Sequence, residues 1–283
     1  MNICFIVNTS VSAGKGHLER SHLLAKKLRE WQQNNVTILT SLCYKIPPKT
    51  DMIIVDHYGV DDKFMEDMHT QANTVLTLDY YANQSKTALV HPEFLKTREF
   101  YLPKITTGAQ RVLISFGATD PKNLTGRLLK ALEKNHDTNR IVDVLLAPEA
   151  PHLSAVEALV EKNINTRLRV GLPPVGVAYT VGEATIGIGE CGTSAWERCC
   201  VGLPSIVVPT DGRQNKIAQI LVENGCAFSV WEDRIETSIP ALLTYFRDNP
   251  EEVKRMSDNC KKLVDGHGVD RLAEIIMWGH AAS

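Results

Sequence analysis

Residues 1–31 read MNICFIVNTSVSAGKGHLERSHLLAKKLREW, and the three parts of this stretch decide the fold class. The apolar run from Ile3 to Val7 predicts a strand that is buried on both faces, as strands are in a parallel sheet. A turn rich in Gly and Ser follows it. The next segment, from about His17 to Trp31, carries leucines at helical spacing, which predicts an amphipathic helix. A strand, a glycine turn and a helix in this order are typical of an α/β protein with a parallel sheet.

The same alternation of strands and helices continues along the chain. Residues 80–108 are the least regular stretch and contain two prolines, so we place the domain linker near its end. We therefore predict two Rossmann-like domains, residues 1–107 and 108–283, with a C-terminal helix that can pack back on the first domain. Further strands are predicted at residues 36–39, 52–55, 74–78, 112–115, 141–146, 185–188 and 205–208.

Composition and charge exclude several classes of protein. The chain has 31 basic and 33 acidic residues and a formal net charge of −2, so it has no general attraction for nucleic acid or for anionic membranes. No stretch approaches the roughly 20 apolar residues of a membrane span, and the first apolar run is too short for a signal peptide. The seven cysteines form no CxxC pair and indicate reduced thiols. We expect a cytoplasmic monomer without nucleic acid or membrane partners.

The first candidate site residues follow two strands of the N-terminal half. Gly14 and Gly16 lie in the first glycine turn, where backbone amides can approach an anionic ligand at the start of a helix. His17, at the mouth of that helix, is a candidate general base or phosphate ligand, or else a surface histidine beside a loop. Asp56 and Tyr58 end another buried strand, and their polar side chains either face a ligand or stop the strand at water.

Two turns of the C-terminal half hold further candidates. Gly117 and Thr119 mirror the first glycine turn, and Asp120 beside them either caps the next helix or contacts a ligand. Gln214 and Asn215 follow another strand, where their amides either bind sugar hydroxyls or belong to a helix start.

The strongest local signal is the segment that contains Gly192, Thr193 and Ser194. Glycines and hydroxyls at a helix start suit a diphosphate, and Glu197, one turn further on, can bind both hydroxyls of a ribose. The alternative is a capping arrangement in which Glu197 only interacts favourably with the helix dipole. The histidines and cysteines show no metal-ligand spacing, so we expect no metal site and no other cofactor.

Taken together, these motifs resemble a known family. The chain is similar to the nucleotide-sugar hydrolases of pseudaminic acid biosynthesis, which act on UDP-2,4-diacetamido-2,4,6-trideoxy-β-L-altropyranose, and to related spore-coat polysaccharide biosynthesis proteins. The matching segments occur in the order of the family across nearly the whole chain. They are GKGHLER at 14–20, IIVDHYGVD at 53–61, ISFGATDPKNLT at 114–125, CGTSAWERCCVGLPSIVV at 191–208 and DGHGVDR at 265–271.

The resemblance implies a GT-B fold whose C-terminal half binds UDP. Carried over to this chain, it implies that Gly192, Thr193 and Ser194 contact the diphosphate and that Glu197 contacts the ribose. The substrate implied is a UDP-linked acetamido-deoxy sugar. No metal is required in this scheme, because the phosphates meet the amides of a helix.

The resemblance also implies a reaction. His17 would orient or deprotonate a water molecule that attacks C1 of the sugar with inversion, with Asp56 and Tyr58 close by. Arg20, in the same motif as His17, joins the substrate-binding residues. Two alternatives stay open: a glycosyltransferase that uses an acceptor hydroxyl in place of water, and a nucleotide-sugar binding protein that has lost its base. Asp79-Tyr80 stands where the family usually has two acidic residues, so the identity of the sugar is open as well.

Overall fold

The computed structural model describes residues 1–9, 16–31, 33–40, 45–57, 60–100, 110–134 and 139–279. The chain divides into two compact units. Unit 1 is Met1–Val90 with His267–Ser283, and unit 2 is His91–Gly266. Within the described ranges, no helix combines the length and the apolar character needed to cross a bilayer.

Strands and helices alternate through both units, as the sequence predicts. In chain order the elements are β1 (Asn2–Val7), α1 (Gly16–Glu30), β2 (Asn35–Leu39), β3 (Met52–Asp56), α2 (Asp62–His69), β4 (Thr74–Thr77), α3 (Leu78–Ala82), α4 (Pro92–Phe100), β5 (Gln110–Ser115), α5 (Leu124–Glu133), β6 (Arg140–Leu146), α6 (Leu153–Val160), β7 (Thr166–Val170), α7 (Pro174–Glu183), β8 (Ile186–Gly189), α8 (Thr193–Val201), β9 (Ser205–Val207), α9 (Gly212–Glu223), β10 (Ala227–Ser229), α10 (Ile235–Asp248), α11 (Pro250–Leu263) and α12 (Gly268–Trp278).

The described part of unit 1 contains a parallel sheet with the strand order β2-β1-β3-β4. Ile3 of β1 pairs with Val36 of β2 on one side and with Met52 of β3 on the other. Strands β1 and β3 are therefore central, and their continuous apolar runs are buried on both faces. The chain turns from β1 to β2 on one side and then crosses to β3 on the other. This reversal creates a topological switch point at the carboxyl ends of β1 and β3, where sheets of this order bind ligands.

The C-terminal helix α12 belongs to unit 1 and packs against α1. Leu24 and Leu28 of α1 share one apolar core with Leu272 and Ile276 of α12. These four side chains are almost fully buried, so the last helix supplies part of the core under the sheet of unit 1.

The sheet of unit 2 has the strand order β10-β9-β8-β5-β6-β7 within the described residues, and all its strands are parallel. Numbered within the unit and taken from β7, this order is 3-2-1-4-5-6, which is the order of dinucleotide-binding folds. Ser115 at the end of β5 pairs with Gly189 at the end of β8. The strand order reverses at this pair, so the switch point of unit 2 lies at the carboxyl ends of β5 and β8.

The division between the units lies earlier in the chain than residue 107, where the sequence placed it. The reason is helix α4, which packs against α7 and α8 of unit 2. Arg98 of α4 donates hydrogen bonds to the carbonyl oxygens of Cys200 (2.8 Å), Val264 (2.9 Å) and Lys261 (2.7 Å). One guanidinium thus satisfies carbonyls at the C-terminal ends of α8 and α11, which joins α4 to unit 2.

Candidate functional site

A buried carboxylate lies at the switch point of unit 1. Asp56, the last residue of β3, is fully buried and accepts hydrogen bonds at both oxygens. Arg20 donates to it from Nε (3.0 Å) and Nη2 (2.5 Å), Ser21 from Oγ (2.8 Å), and His17 lies 2.7 Å away through Nδ1. Positions 17, 20 and 21 share one face of α1, because residues three and four apart are neighbours on a helix. The sequence predicted His17, Arg20 and Asp56 as site residues, but it missed Ser21.

The charge of this cluster follows from its hydrogen bonds. Burial alone raises the pKa of Asp56, but the hydrogen bonds and charges of Arg20 and His17 outweigh that effect and lower the pKa to about 2. Asp56 is therefore ionised at neutral pH, and its buried charge is compensated by the guanidinium of Arg20. An ionised carboxylate that is buried in this way needs several donors at once, which the first turns of α1 supply.

The ionised Asp56 fixes the tautomer of His17. A carboxylate can only accept a hydrogen bond, so Nδ1 of the imidazole carries the proton and Nε2 carries the lone pair of the neutral ring. Arg20 Nη2 also lies 3.2 Å from Nδ1. In this tautomer both nitrogens are donors, so the contact is not a hydrogen bond. An imidazole whose Nδ1 is held by a carboxylate is oriented to accept a proton at Nε2. Neighbouring His57 lacks this arrangement, since its buried Nδ1 has no hydrogen-bond partner among the described residues.

Arg20 also reaches a second carboxylate, which the sequence did not include in the site. Its Nη2 lies 3.3 Å from an oxygen of Asp79 at the start of α3. Arg20 therefore joins the ends of two neighbouring strands, and its position makes it a partner of acidic side chains. Gly16, predicted in the glycine turn, is the first residue of α1. The predicted residues Gly14 and Tyr58 lie outside the described residues.

In unit 2, the turn after β5 shows what Gly117 and Asp120 do. Gly117 has a φ of +76°, a left-handed conformation that glycine adopts without strain. Asp120 accepts hydrogen bonds from the backbone N–H groups of Leu124 (2.9 Å) and Thr125 (2.8 Å). Its carboxylate thus caps α5, one of the two roles that the sequence left open. Thr119, between them, is half-buried in the same turn.

The predicted diphosphate turn lies at the other side of this switch point. Gly192 is the N-cap residue of α8 and has no side chain to cap the helix. A Cβ atom at this position would have no atom within 4 Å, so there is open space beside the cap. Thr193 and Ser194 form the first turn of α8 and are half-buried, as is Glu197 one turn later. The N–H groups of a first helical turn need acceptors from outside the helix, which suits an anion.

Gln214, predicted to contact substrate, connects the loops that follow β8 and β9. Its Oε1 accepts hydrogen bonds from the backbone N–H groups of Cys191 (3.1 Å) and Thr210 (3.2 Å). Its Nε2 donates to the carboxyl group of Glu190 at 3.3 Å. The side chain therefore positions the strand-end loops, while its neighbour Asn215 is exposed on the first turn of α9.

Glu190 also belongs to this site, although it was not among the residues predicted from the sequence. Burial raises its pKa to about 7 from an ordinary value of 4.5. The hydrogen bond from Gln214 and the charge of Lys122 lower the pKa, whereas the charges of Asp120 and Asp211 raise it further. Because it directly follows β8, a carboxyl group that is partly protonated at neutral pH lies at the switch point. Its position immediately before the Cys-Gly-Thr-Ser motif was the signal available in the sequence.

A buried cation lies under the same turn. Arg198 of α8 donates to the carbonyl oxygen of Glu190 (2.9 Å) and to the hydroxyls of Ser194 (3.3 Å) and Ser205 (3.1 Å). Burial lowers its pKa from the ordinary value. Gly187 makes room for this side chain, because a Cβ there would lie 2.7 Å from Arg198 Cδ. The turn thus combines helix N–H groups with a cation that favours negative charge.

Comparison with known proteins finds distant sequence relatives. No protein-family model matches the chain. It is 24% identical over 192 residues to the spore coat polysaccharide biosynthesis protein SpsG of Bacillus subtilis (strain 168). The alignment covers 66% of this chain and 55% of that protein. It is 22% identical over 270 residues to an uncharacterised protein of Methanocaldococcus jannaschii, which covers 74% of this chain and 55% of that protein. The chain thus spans little more than half the length of these curated relatives.

Solved structures with a similar fold cover nearly the whole chain. Acinetobacter baumannii MurG has a TM-score of 0.67 at 14% identity and covers 98% of this chain and 99% of its own. The S. aureus MnaA–UDP structure has a TM-score of 0.63 at 12% identity, and the match covers 99% of this chain and 97% of that one. WaaG, a glycosyltransferase involved in lipopolysaccharide biosynthesis, has a TM-score of 0.57 at 11% identity, with 98% and 99% covered. At these identities the likeness concerns the fold, and it confirms the predicted class: an α/β protein with two Rossmann-like domains and a GT-B fold.

Proposed function

We propose that this protein is an enzyme of surface-polysaccharide biosynthesis that cleaves the bond between C1 of a sugar and the diphosphate of UDP. The observation that carries the proposal is the imidazole of His17, held by the ionised Asp56 at a ligand-binding switch point. Among proteins of the same fold, one was solved with UDP and another is a glycosyltransferase, and a relative in sequence serves spore-coat polysaccharide biosynthesis.

Unit 2 binds the nucleotide in this proposal. The diphosphate accepts hydrogen bonds from the first N–H groups of α8 and from the hydroxyls of Thr193 and Ser194, next to the cap residue Gly192. The buried Arg198 adds positive charge beneath the turn. Glu197 accepts hydrogen bonds from the two ribose hydroxyls, as acidic residues do in dinucleotide folds.

Unit 1 supplies the base. His17 Nε2 takes the proton of the attacking hydroxyl as the new bond to C1 forms, and the bonding electrons of the C1–O bond leave with UDP. Asp56 stabilises the imidazolium that results, and Arg20 keeps Asp56 ionised. Direct displacement of this kind inverts the configuration at C1. Tyr58, close to Asp56 in sequence, is a further candidate for contact with the sugar.

Two acceptors fit this chemistry, and different observations favour them. An acceptor hydroxyl makes the protein a glycosyltransferase, which the fold likeness to WaaG supports better. Water makes it a hydrolase that releases UDP and a free acetamido-deoxy sugar, which the motifs at 14–20 and 265–271 favour through their resemblance to the pseudaminic acid hydrolases. We take the UDP-sugar donor as the common part of both reactions and the glycosyltransferase as the better supported one.

The test is incubation of the protein with a panel of UDP-sugars that includes UDP-acetamido-deoxy sugars, with and without candidate acceptors. UDP release is followed in time, and NMR gives the anomeric configuration of the first product. Release that depends on an acceptor supports the transferase, and release in water alone supports the hydrolase. UDP binding without turnover, or a retained anomer, contradicts the catalytic proposal. Absence of UDP binding contradicts the role given to unit 2.

A further inference from the structure

Three buried cysteines of unit 2 lie close together, and none of them is among the switch-point residues described above. Cys199 lies in α8, Cys226 directly precedes β10, and Cys260 lies in α11. Their sulfur atoms all lie within 4.8 Å of one another, and each residue is at most 2% exposed. The sequence predicted no metal site because ligand spacing was its only guide. Cys260 follows Cys226 by 34 positions and Cys199 by 61. These separations are too long to form a short sequence motif that would predict a metal site.

The backbone around these cysteines holds them in place. Helix α9 is followed by Gly225, whose φ of +64° turns the chain so that Cys226 N–H donates to the carbonyl oxygen of Leu221 at 2.8 Å. Asn259, next to Cys260, donates to the carbonyl oxygen of Gly225 at 3.3 Å. This hydrogen bond joins the turn before β10, which carries Cys226, to α11, which carries Cys260.

The sulfur geometry suits a shared ion. Thiolate ligands bind zinc at about 2.3 Å, so three of them around one ion are about 4 Å apart. Sulfurs within 4.8 Å of one another reach that separation by shifts of a few tenths of an ångström to an ångström. Without an ion, the thiols lie near carbonyl oxygens, with Cys199 Sγ 3.5 Å from Cys260 O and Cys260 Sγ 3.6 Å from Cys226 O.

We propose that Cys199, Cys226 and Cys260 form a structural site for a soft, thiophilic cation, either Cu(I) bound by the three thiolates alone or Zn²⁺ with a fourth ligand. Thiolates select these ions over hard cations, and full burial is typical of structural rather than catalytic sites. Binding forms three sulfur–metal bonds and releases the thiol protons to solvent. The bound ion cross-links α8, the turn before β10 and α11, and so stabilises the packing behind the helix whose N-terminus we assign to UDP.

The first measurement uses the intact, reduced protein. Zn²⁺ or Cu(I) is added under anaerobic conditions in competition with a chromophoric chelator, and X-ray absorption then reports the ligands of the ion. We expect about one ion per chain with three sulfur neighbours at about 2.3 Å for at least one of the two metals. A shell of nitrogen and oxygen with both metals, or no ion retained against the chelator, overturns the proposal. This measurement does not depend on how any variant folds.

The second measurement compares matched variants. Cys226→Ala and Cys260→Ala each remove one ligand, whereas Cys200→Ala removes a buried thiol from the same helix as Cys199 without touching the cluster. We expect metal affinity to fall by at least about 100-fold in the two ligand variants and to stay within about threefold of wild type in Cys200→Ala. Metal should also raise the Tm of wild type and Cys200→Ala only. Equal affinity in all four proteins overturns the proposal, whatever the outcome for UDP-sugars.

Discussion

Each unit has a carboxyl group at its switch point, and the pKa values of the two groups are shifted in opposite directions. Asp56 in unit 1 is surrounded by donors, and its pKa is lowered to about 2. Glu190 in unit 2 has a single amide donor and two acidic neighbours, and its pKa is raised to about 7. Burial acts in the same direction on both, so the difference comes from the partners. Arg20 lies beside Asp56, whereas Asp120 and Asp211 act on Glu190.

The contrast suits two different tasks. A permanent negative charge beside His17 accepts the hydrogen bond of Nδ1–H and so orients the imidazole. A carboxyl group that can hold a proton at neutral pH repels a diphosphate less than a carboxylate would, and it can donate a hydrogen bond. The same residue chemistry thus gives a fixed charge in one unit and an adjustable one in the other.

The largest effect is expected when the fixed charge is removed. Asp56→Asn leaves the buried guanidinium of Arg20 without its main counter-ion, and breaking a buried pair from one side costs about 3–5 kcal/mol. Chemical denaturation of the variant should show that loss in the free energy of unfolding. As a control, Lys27→Ala removes the partly exposed pair with Asp270 and should cost at most about 1 kcal/mol. Equal losses in the two variants would contradict the account of Asp56.

The second prediction separates catalysis from nucleotide binding. His17→Asn removes the proposed base, and a positioned base contributes about 10²–10⁴-fold, so kcat should fall by at least about 100-fold. UDP affinity should be retained, because the proposal assigns nucleotide binding to unit 2. Turnover is measured as UDP release, and affinity by calorimetry. His22→Asn changes an exposed histidine of the same helix and should leave both values unchanged. Near-normal turnover in His17→Asn would remove His17 from the mechanism.

The sequence was most informative where one element decides the outcome. Continuous apolar runs predicted that β1 and β3 are buried strands, and both are central in the sheet of unit 1. The edge strand β7 was not predicted, because its sequence, TRLRV, has no continuous apolar run. Its arginines alternate with other residues, and the strand is only partly buried. Helix α4 was missed because it lies in the stretch with two prolines, although Pro92 occupies the first turn, where a helix tolerates it.

The candidate site shows the same limit. His17 and Asp56 could be selected from the strands that they follow, but their pairing depends on β1 and β3 being neighbours. The raised pKa of Glu190 depends on its burial in the fold, and then on acidic residues that lie 70 and 21 positions away along the chain. The three cysteines of the proposed metal site come from separate elements. Local patterns therefore predict which edge of a sheet carries chemistry, and only the packed fold shows which side chains meet there.

The third prediction tests unit 2 directly. Glu197→Ala removes the proposed charged acceptor for the ribose hydroxyls, so UDP should bind more weakly by about 1.5–3 kcal/mol in calorimetry. A 2′,3′-dideoxy analogue lacks those hydroxyls, so its affinity should change little in the variant. Glu251→Ala, in the first turn of α11, is the matched change at another helix start and should leave UDP affinity unchanged. If Glu197→Ala and wild type bind UDP equally, Glu197 serves only the helix.

The smallest expected effect is the pH dependence of the free energy of unfolding. Its sign should be opposite for Asp56 and Glu190. Asp56 binds its proton less tightly in the folded chain than its ordinary pKa of 3.8 implies, so its contribution to stability is present above about pH 4 and is lost as the pH falls through about 2. Glu190 is the reverse. Its folded pKa of about 7 exceeds the ordinary 4.5, so its contribution is present below about pH 4.5 and is lost as the pH rises through about 7.

Glu190→Gln keeps the size of the side chain and removes its titration. The free energy of unfolding of wild type, relative to the variant, should therefore fall by about 1 kcal/mol between pH 5 and pH 8, a value reduced from the full pKa shift because the group is partly exposed. The measurement is urea denaturation of both proteins at pH 5, 6, 7 and 8, with Glu157→Gln on the exposed face of α6 as the control. A wild-type curve parallel to that of Glu190→Gln would mean that Glu190 ionises normally. The two switch points would then hold carboxylates of the same kind, and the proposed division between a fixed and an adjustable charge would fail.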